Sequence, residues 1–457
     1  MPDNRQQSPR EWDFRQASMS TKLHEIRDPI HAFVRLDSDE RKVLNSAPYQ
    51  RLREIHQLAL TYLIYPGATH RRFEHSLGVM ELAGRMYDVV TNPENLYDDS
   101  VRRLVPNPQS FDYGYWKRVL RMAALLHDVG HLPFSHAAEK ELLPAGWKHE
   151  RLTYDLVMSD YLAPTLRQIK VGPEDVAKIA VGPEKHPAKA EYTEWETILS
   201  EIITGDAFGA DRMDYLLRDS LHAGVSYGRF DHFRLLDTLR ILPRSREDSK
   251  EPTLGIVRGG LESAESLLWA RYFMYTQLYF HPVRRIYDKH LKEFLQAWLP
   301  GGRFSTKVED HLRVTDSDVL SAIRSCDGDE AKPGHESARR IARREHFRLV
   351  YEMNPADQEV NPNSVDLVEK ALNEKFGADH VRRDTYIPEV EGVDFPIYTR
   401  DGRILSSLSM SKTLQRVPDF AVDCVYVDPQ IRNEAESWLA ERRDQLISGN
   451  DKAGTAK

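Results

Sequence analysis

The feature that most constrains this chain is an apolar segment that ends in a histidine–aspartate pair. Residues 119–127 (VLRMAALLH) are apolar nearly all round, which is typical of a helix packed inside a protein rather than on its surface. Gly130 follows shortly after Asp128 and predicts the end of this helix. The sequence therefore predicts a buried helix with ionisable side chains at its C-terminal end.

Periodic apolar patterns extend the helical prediction to other parts of the chain. Leu77, Met80, Ala83 and Tyr87 recur at spacings of three and four residues, as one face of an amphipathic helix requires. Residues 261–299 return to a strong helical pattern that is rich in aromatic side chains. We therefore predict a mainly α fold.

The predicted secondary structure changes from mainly helical to mixed after 325–334 (SCDGDEAKPG), a segment rich in helix-breaking residues. The short strands predicted beyond it are at 386–387, 395–398 and 420–427, and a closing helix is predicted at 433–446. The glycines and prolines of 172–191 predict a loop or insert. We expect a flexible lead-in at 1–20, a helical core at 21–324 and a smaller α+β part at 325–457.

Composition limits the class of protein. The chain has 457 residues, of which 40% are hydrophobic and 29% are charged. No run approaches the ~18 consecutive apolar residues of a membrane span, and the polar N-terminus lacks the apolar core of a secretory signal. Two cysteines, Cys326 and Cys424, make a disulfide framework or thiolate metal site implausible. We expect a globular protein of the cytoplasm with no membrane partner.

The net charge of −8 argues against general nucleic-acid binding, because phosphate backbones attract basic surfaces. It leaves room for a small anionic substrate, since a local basic pocket can coexist with an acidic exterior.

The stretch HDVGHLPFSH carries the chemistry that the sequence suggests. A lone His127–Asp128 pair is explained equally well as a polar helix end, but His131 and His136 follow within ten residues. Imidazole and carboxylate ligands together suit divalent ions such as Zn, Fe and Mn, and catalytic sites of this kind keep a position open for water. The stretch therefore suggests a metal site whose other ligands come from elsewhere in the chain.

Two further residues are candidates for those ligands. His75 stands in ATHRRFEHSLGV and Asp211 in GADRMDYLLRDS, each at the predicted start of a helix. Taken alone, His75 is better explained as a histidine satisfied at a helix end, and Asp211 as a helix N-cap.

Four strings in order change this interpretation: RFEHSLGV (72–79), HDVGHLPFSH (127–136), KHE (148–150) and DRMDYLLRD (211–219). Together they resemble the HD-domain phosphohydrolases and, within them, the deoxynucleoside triphosphate triphosphohydrolases. The resemblance covers roughly residues 26–281, so it places an HD domain in the helical core. It implies a divalent metal ion (Mn, Fe, Mg, Zn or Ni) whose ligands are His75, His127, Asp128 and Asp211.

The resemblance also implies a reaction and catalytic roles. Members of this branch attack the α-phosphate of a dNTP and release a deoxynucleoside and intact triphosphate. His149 matches a histidine proposed for acid catalysis, with Glu150 placed to orient it. His131 matches a second catalytic histidine, whose acidic partner in relatives is Asp, whereas this chain has Glu139.

Further positions match contacts to the dNTP. The residues assigned to substrate binding in this way are Gln57, Leu58, Arg72, His136, Arg212, Tyr215, Asp219, Arg271 and Tyr279. The arginines suit a triphosphate because a guanidinium fork matches phosphate oxygens. The resemblance places Asp219 and Tyr215 at the 3′-hydroxyl and Tyr279 against C2′, where a rigid ring excludes a ribose hydroxyl. Phe280 stands where relatives often have Gln, which leaves base preference open.

The resemblance suggests regulation as well. Gln50, Arg51 and Arg53 match one piece of a second, regulatory nucleotide site, and we expect a homo-oligomer, a dimer or a tetramer. Two alternatives stay open: an HD-type hydrolase of another nucleotide or a phosphodiester, and a non-catalytic nucleotide sensor. An intact ligand set together with His149 counts against the sensor, because a pure binder has no need of an activated water.

Overall fold

The apolar segment that ends in the His–Asp pair forms the second half of a helix, Phe111–Leu126, in the computed structural model. The structure describes residues 22–135, 139–243, 251–386, 393–418 and 420–448. The side chains of this helix from Val119 to Leu126 are buried except for Arg121, as the sequence predicts for a core helix. The mainly α fold with a smaller α+β C-terminal part is therefore confirmed.

The α-helices are α1 Ser38–Leu44, α2 Ala47–Arg51, α3 Arg72–Val90, α4 Asp99–Leu104, α5 Phe111–Leu126, α6 Glu139–Leu142, α7 His149–Met158, α8 Ala163–Gln168, α9 Pro173–Val181, α10 Glu194–Thr204, α11 Ala210–Ala223, α12 His232–Thr238, α13 Leu261–Met274, α14 Pro282–Trp298, α15 Val308–Arg313, α16 Asp316–Asp327, α17 His335–Ala342, α18 Pro355–Val360, α19 Ser364–Phe376, α20 Ser407–Met410 and α21 Arg432–Ile447. Short 3-10 turns are at Leu52–Glu54, Ala59–Leu63, Pro93–Asn95, Arg258–Gly260, Pro300–Gly302, Ala378–His380 and Leu414–Arg416. A π-helical turn, Tyr275–Tyr279, follows α13.

The strands are β1 His24–Asp28, β2 Ala32–Leu36, β3 Leu239–Pro243, β4 Pro252–Val257, β5 Arg348–Glu352, β6 Val381–Tyr386, β7 Pro396–Tyr398, β8 Ile404–Ser406 and β9 Val422–Val427. They form an antiparallel hairpin β1-β2, a four-stranded sheet in the order β3-β4-β7-β8 and a three-stranded antiparallel sheet in the order β5-β9-β6. The four-stranded sheet joins strands from both sides of the boundary expected at 324/325, because β4 and β7 pair in parallel.

In the helical core α3 packs against α5 and also against α11. The predicted apolar face of α3, formed by Leu77, Met80, Ala83 and Tyr87, is buried. Helices α7 and α9 pack against each other, and α9 also covers α5. Helix α3 therefore contacts both α5, which precedes the His–Asp pair, and α11, which carries Asp211.

The prediction of a loop or insert at 172–191 is wrong for the first half of this segment, which forms α9. Pro173 occupies the first turn of this helix, where a missing backbone N–H costs nothing. The buried side chains of α9 include Val176, Ala177, Ile179 and Ala180, so tertiary packing stabilises a helix where the glycines and prolines predict a break.

Two strand predictions in the C-terminal part are confirmed, at β7 and β9, and the closing helix corresponds to α21. Of the strand predicted at 386–387, Tyr386 ends β6, and residue 387 lies outside the described residues. No helix in the described part of the chain is long and apolar enough to cross a membrane.

Candidate metal and active site

His75 lies in the first turn of α3 and is fully buried. Its Nδ1 atom lies 2.9 Å from Oδ2 of Asp214, and its Nε2 atom lies 3.0 Å from Oδ1 of Asp211, both on α11. Burial opposes the charged form of His75, but the hydrogen bonds and charges of these carboxylates outweigh it and raise its pKa to about 10. The carboxylates of α11 therefore favour a cation at this position.

His127 follows the last turn of α5, and its Nδ1 atom lies 2.8 Å from the carbonyl oxygen of Ala124. A carbonyl oxygen can only accept, so Nδ1 carries a proton, and Nε2 is the ring nitrogen that can offer a lone pair to a metal ion. This Nε2 atom is buried and has no hydrogen-bond partner among the described residues. It lies 3.2 Å from Oδ1 of Asp128 and 3.7 Å from Oδ1 of Asp211.

The four predicted ligands therefore converge. Donor atoms of His75, His127 and Asp128 lie within 4.8 Å of one another, and Asp211 faces both imidazoles. The side chain of Asp211 is 33% exposed, which leaves one side of the group open to solvent. Two imidazoles and two carboxylates, one buried Nε2 lone pair and an open side fit a catalytic divalent metal.

Asp214 supports this group from behind, and its role was missed in the sequence. Its carboxylate accepts hydrogen bonds from His75 and from Nε2 of His31 at 2.7 Å. It also pairs with Arg218, which is fully buried and donates to Asp28 as well. A metal-binding histidine is commonly oriented by a carboxylate in this way. The spacing of Asp211 and Asp214 within DRMDYLLRD was the signal that could have found it.

Arg72, predicted to contact the triphosphate, is buried beside the four predicted metal ligands, which are called the metal group from here on. Its guanidinium donates to Oδ2 of Asp128 and, through Nε, to Oγ of Ser135 at 2.7 Å. Burial opposes the charge on Asp128, but His127, Arg72 and His131 outweigh it and hold its pKa well below its usual range. Arg72 thus keeps a predicted metal ligand ionised.

His131 and His149 form a stacked pair beside the metal group, with ring centroids 3.8 Å apart and planes at 17°. Burial and the charges of Arg72 and His149 hold the pKa of His131 well below its usual range, against the opposing effect of Asp128. Burial also disfavours the charged form of His149, but Glu139 and Glu150 outweigh it and raise its pKa. The pair therefore favours one protonated and one neutral imidazole, as acid–base chemistry requires.

Two carboxylates flank the Nδ1 atom of His149. Glu139 lies 2.9 Å away and Glu150 3.5 Å away, and Glu150 is held by Nζ of Lys185 at 2.6 Å. The sequence assigned Glu139 to His131 and gave the orienting role to Glu150. The structure corrects this pairing, because the nearer carboxylate on His149 is Glu139, while Nε2 of His131 faces Asp128 at 3.2 Å.

Of the residues expected at the sugar, Tyr215 and Asp219 lie further along α11, and Tyr279 ends the π-helical turn that follows α13. The Tyr279 hydroxyl donates to Oδ2 of Asp219 at 2.6 Å, and Oδ1 of the same carboxylate lies 2.7 Å from Nε2 of His70. The rings of Tyr215 and Tyr279 meet edge to face at 6.0 Å. The structure therefore brings Tyr215, Asp219 and Tyr279 together, and adds His70, which the sequence did not single out.

The other predicted substrate residues are placed as follows. Leu58 is buried and Gln57 is half-buried, with its Oε1 atom lacking a hydrogen-bond partner among the described residues. Arg212 and Arg271 are half-buried, and each has a buried Nε atom that is likewise unpaired within the described part of the chain. His136 lies outside the described residues.

The three residues assigned to a regulatory nucleotide differ in their surroundings. Arg51 is buried and donates to the carbonyl oxygens of Val314 and His131, so its guanidinium serves the fold. Gln50 donates to the carbonyl of Leu44 and accepts from Arg53, whose exposed guanidinium lies over the ring of Phe73. This geometry does not support the prediction that Arg51 contacts a regulatory nucleotide.

Comparison with known proteins agrees with this geometry. The family model described as HD domain matches residues 72–204, and the HD associated region matches residues 230–382. A protein of Bacillus subtilis (strain 168), uncharacterized protein YwfO, is 34% identical over 73% of this chain and 73% of its own length. The chain belongs to the HD-domain family of phosphohydrolases, as its motifs predict.

Two further similarities extend this finding. A crystal structure of a hypothetical protein from Aquifex aeolicus is 33% identical, covers 92% of this chain and 100% of its own, and superimposes with a TM-score of 0.73. The human deoxynucleoside triphosphate triphosphohydrolase SAMHD1 is 27% identical over 73% of this chain and 56% of its own length.

Proposed function

We propose that this protein hydrolyses deoxynucleoside triphosphates to a deoxynucleoside and triphosphate with a divalent metal ion. The observation that carries the proposal is the composition of one face of α11. Asp211, Tyr215 and Asp219 are four residues apart and therefore share a face. The predicted metal ligand Asp211 lies at one end of this face, and the carboxylate of Asp219, which accepts from Tyr279, lies at the other, about 12 Å along the helix at 1.5 Å per residue.

This separation suits a nucleotide whose phosphates meet the metal group while its sugar meets Asp219 and Tyr279. The similarity to the human dNTP triphosphohydrolase supports the same substrate class. Tyr279 would pack against C2′ of the sugar, and Arg72, Arg212 and Arg271 would face the phosphates, since planar guanidinium groups match phosphate oxygens.

The residues of the site have separable roles in this reaction. A divalent ion held by His75, His127, Asp128 and Asp211 would supply Lewis-acid charge neutralisation at a phosphate oxygen and lower the pKa of water. His149, whose pKa Glu139 and Glu150 raise against the effect of burial, donates a proton to the departing 5′-oxygen. His131, kept neutral, remains available to accept a proton from the attacking water.

The experiment that tests this function is product identification. Purified protein is incubated with Mn²⁺ or Mg²⁺ and each dNTP or NTP in turn. We expect a deoxynucleoside and intact triphosphate from dNTPs. Monophosphate with pyrophosphate, or cleavage of a cyclic dinucleotide only, would overturn the proposal and favour an HD-type hydrolase of another substrate.

Two further proposals concern assembly and location. We expect self-association, with Gln50 and Arg53 as the remaining candidates for regulatory nucleotide contacts; native mass measured with and without GTP or dNTP tests nucleotide-driven assembly, and an unchanged mass refutes it. Both cysteines are buried and unpaired, which supports a reducing compartment such as the cytoplasm.

A further inference from the structure

We propose that His70 is a positioning residue that sets selectivity for deoxyribose by holding Asp219 and, through it, the phenol of Tyr279. This inference rests on the proposed function. It concerns a residue outside the four family strings, in the loop that precedes α3.

The carboxylate of Asp219 is held at both oxygens. A carboxylate can only accept, so Nε2 of His70 donates to Oδ1 and the hydroxyl of Tyr279 donates to Oδ2. The side chains of His70 and Asp219 are 0% and 2% exposed, so their hydrogen bond is shielded from bulk water. The direction of the Tyr279 hydroxyl therefore depends on the carboxylate, and the carboxylate depends on His70.

His70 also contacts two other residues. Its ring stacks on that of His222 at 4.4 Å, with planes 16° apart. Its backbone carbonyl accepts a hydrogen bond from the N–H of Gln57 at 3.0 Å. One residue thus links Gln57, a predicted substrate residue, to Asp219 and Tyr279.

Tyr279 needs such support because of where it lies. It ends a π-helical turn, in which backbone geometry departs from that of a regular helix. A ring in contact with C2′ excludes a ribose hydroxyl only if the ring cannot move away. Apolar pockets that exclude a hydroxyl by contact alone reach about 100-fold discrimination. Fixing the phenol through Asp219 prevents that retreat.

The test compares kcat/KM for each dNTP with that for the matching NTP. His70→Ala removes the donor to Asp219, and we expect the dNTP/NTP ratio to fall by roughly 10-fold or more, with the loss arising from better use of the NTP. His70→Gln, whose amide nitrogen can reach the carboxylate, should restore most of the ratio. A structural defect alone would lower both activities and leave their ratio unchanged.

His222→Ala is the matched control, because it removes the stacking partner while leaving the hydrogen bond to Asp219 in place. We expect its ratio to stay within about two-fold of the parent protein. If His70→Ala does not fold, His70→Phe keeps a ring on His222 and removes only the donor. A ratio unchanged in the folded His70 variant overturns the inference.

Tyr279→Phe breaks the same chain of hydrogen bonds at its other end. We expect it to lower the ratio, and we expect His70→Ala to add no further loss in that background, because both act through Asp219. Fully additive losses, or an unchanged ratio in Tyr279→Phe, contradict the inference. If the parent protein hydrolyses no dNTP, the proposed function fails; if it hydrolyses dNTPs and His70 variants keep the ratio, only the role of His70 fails.

Discussion

The carboxylate of Asp316 accepts a hydrogen bond from the backbone N–H of Phe134 at 2.7 Å, across 182 residues of sequence. Its other oxygen accepts from the backbone N–H and the Nδ1 of His56. Phe134 and Ser135 both have positive φ, near 55°, where side-chain crowding is unfavourable. Since Ser135 accepts from Arg72, which holds Asp128, the HD associated region helps to shape the metal group.

We predict that Asp316→Ala destabilises the fold and impairs hydrolysis together. It leaves the buried N–H of Phe134 and the imidazole of His56 without their acceptor, at about 1–3 kcal/mol for each group. Urea unfolding and kcat measure the two effects. The control is Asp318→Ala on the same helix, which removes an exposed carboxylate that accepts hydrogen bonds from Thr315. Equal stability and activity in the two variants would show that the contact with Phe134 is dispensable.

We predict that Arg218→Met strongly destabilises the protein. Arg218 pairs with Asp214 and Asp28, and all three side chains are at most 4% exposed. Removing the cation leaves two buried carboxylates, and breaking a buried pair costs about 3–5 kcal/mol. The free energy of unfolding in urea measures this loss. Arg258→Met, which breaks an exposed pair with Glu262, should cost about 0–1 kcal/mol. A similar cost for both would argue against this network as a support of the site.

We predict that Glu139→Gln moves the alkaline limb of the kcat–pH profile to lower pH. Burial lowers the pKa of His149 and the two carboxylates raise it, so removing one negative charge lowers the pKa. A general acid works in its protonated form, and activity is therefore lost at a lower pH in the variant.

The control for this prediction is Glu141→Gln, which changes a more exposed carboxylate on the same helix that pairs with Lys292. Its profile should match that of the parent protein. An alkaline limb that stays in place or moves upward in Glu139→Gln would contradict His149 as the general acid.

We predict that Asp211→Ala weakens divalent metal binding by at least about 100-fold and abolishes hydrolysis. Titration calorimetry with Mn²⁺ measures the affinity without relying on activity. Asp206→Ala, in the loop before α11 with a side chain 79% exposed, is the control and should bind the metal as the parent protein does. Undiminished affinity in Asp211→Ala would remove this residue from the ligand set.

The periodic spacing of apolar residues predicted those helices that bury one face or all faces in the core. The buried helix before the His–Asp pair and the apolar face of α3 follow from helical periodicity, and both are confirmed. The helix α9 was missed because the glycines and prolines around it predict a break, while its stability comes from packing against α5 and α7. The N-terminal hairpin β1-β2 was missed within a region that reads as helical.

The sequence by itself determined the family of this protein, and its motif strings predict four metal ligands and a pair of catalytic histidines. Only the tertiary structure decided the partners. Asp214 behind His75 and His70 on Asp219 are contacts between elements 139 and 149 residues apart, and Glu139 meets His149 from the neighbouring helix ten residues away. A hydrogen bond between distant segments depends on how whole helices pack, so it leaves no periodic signal in either segment.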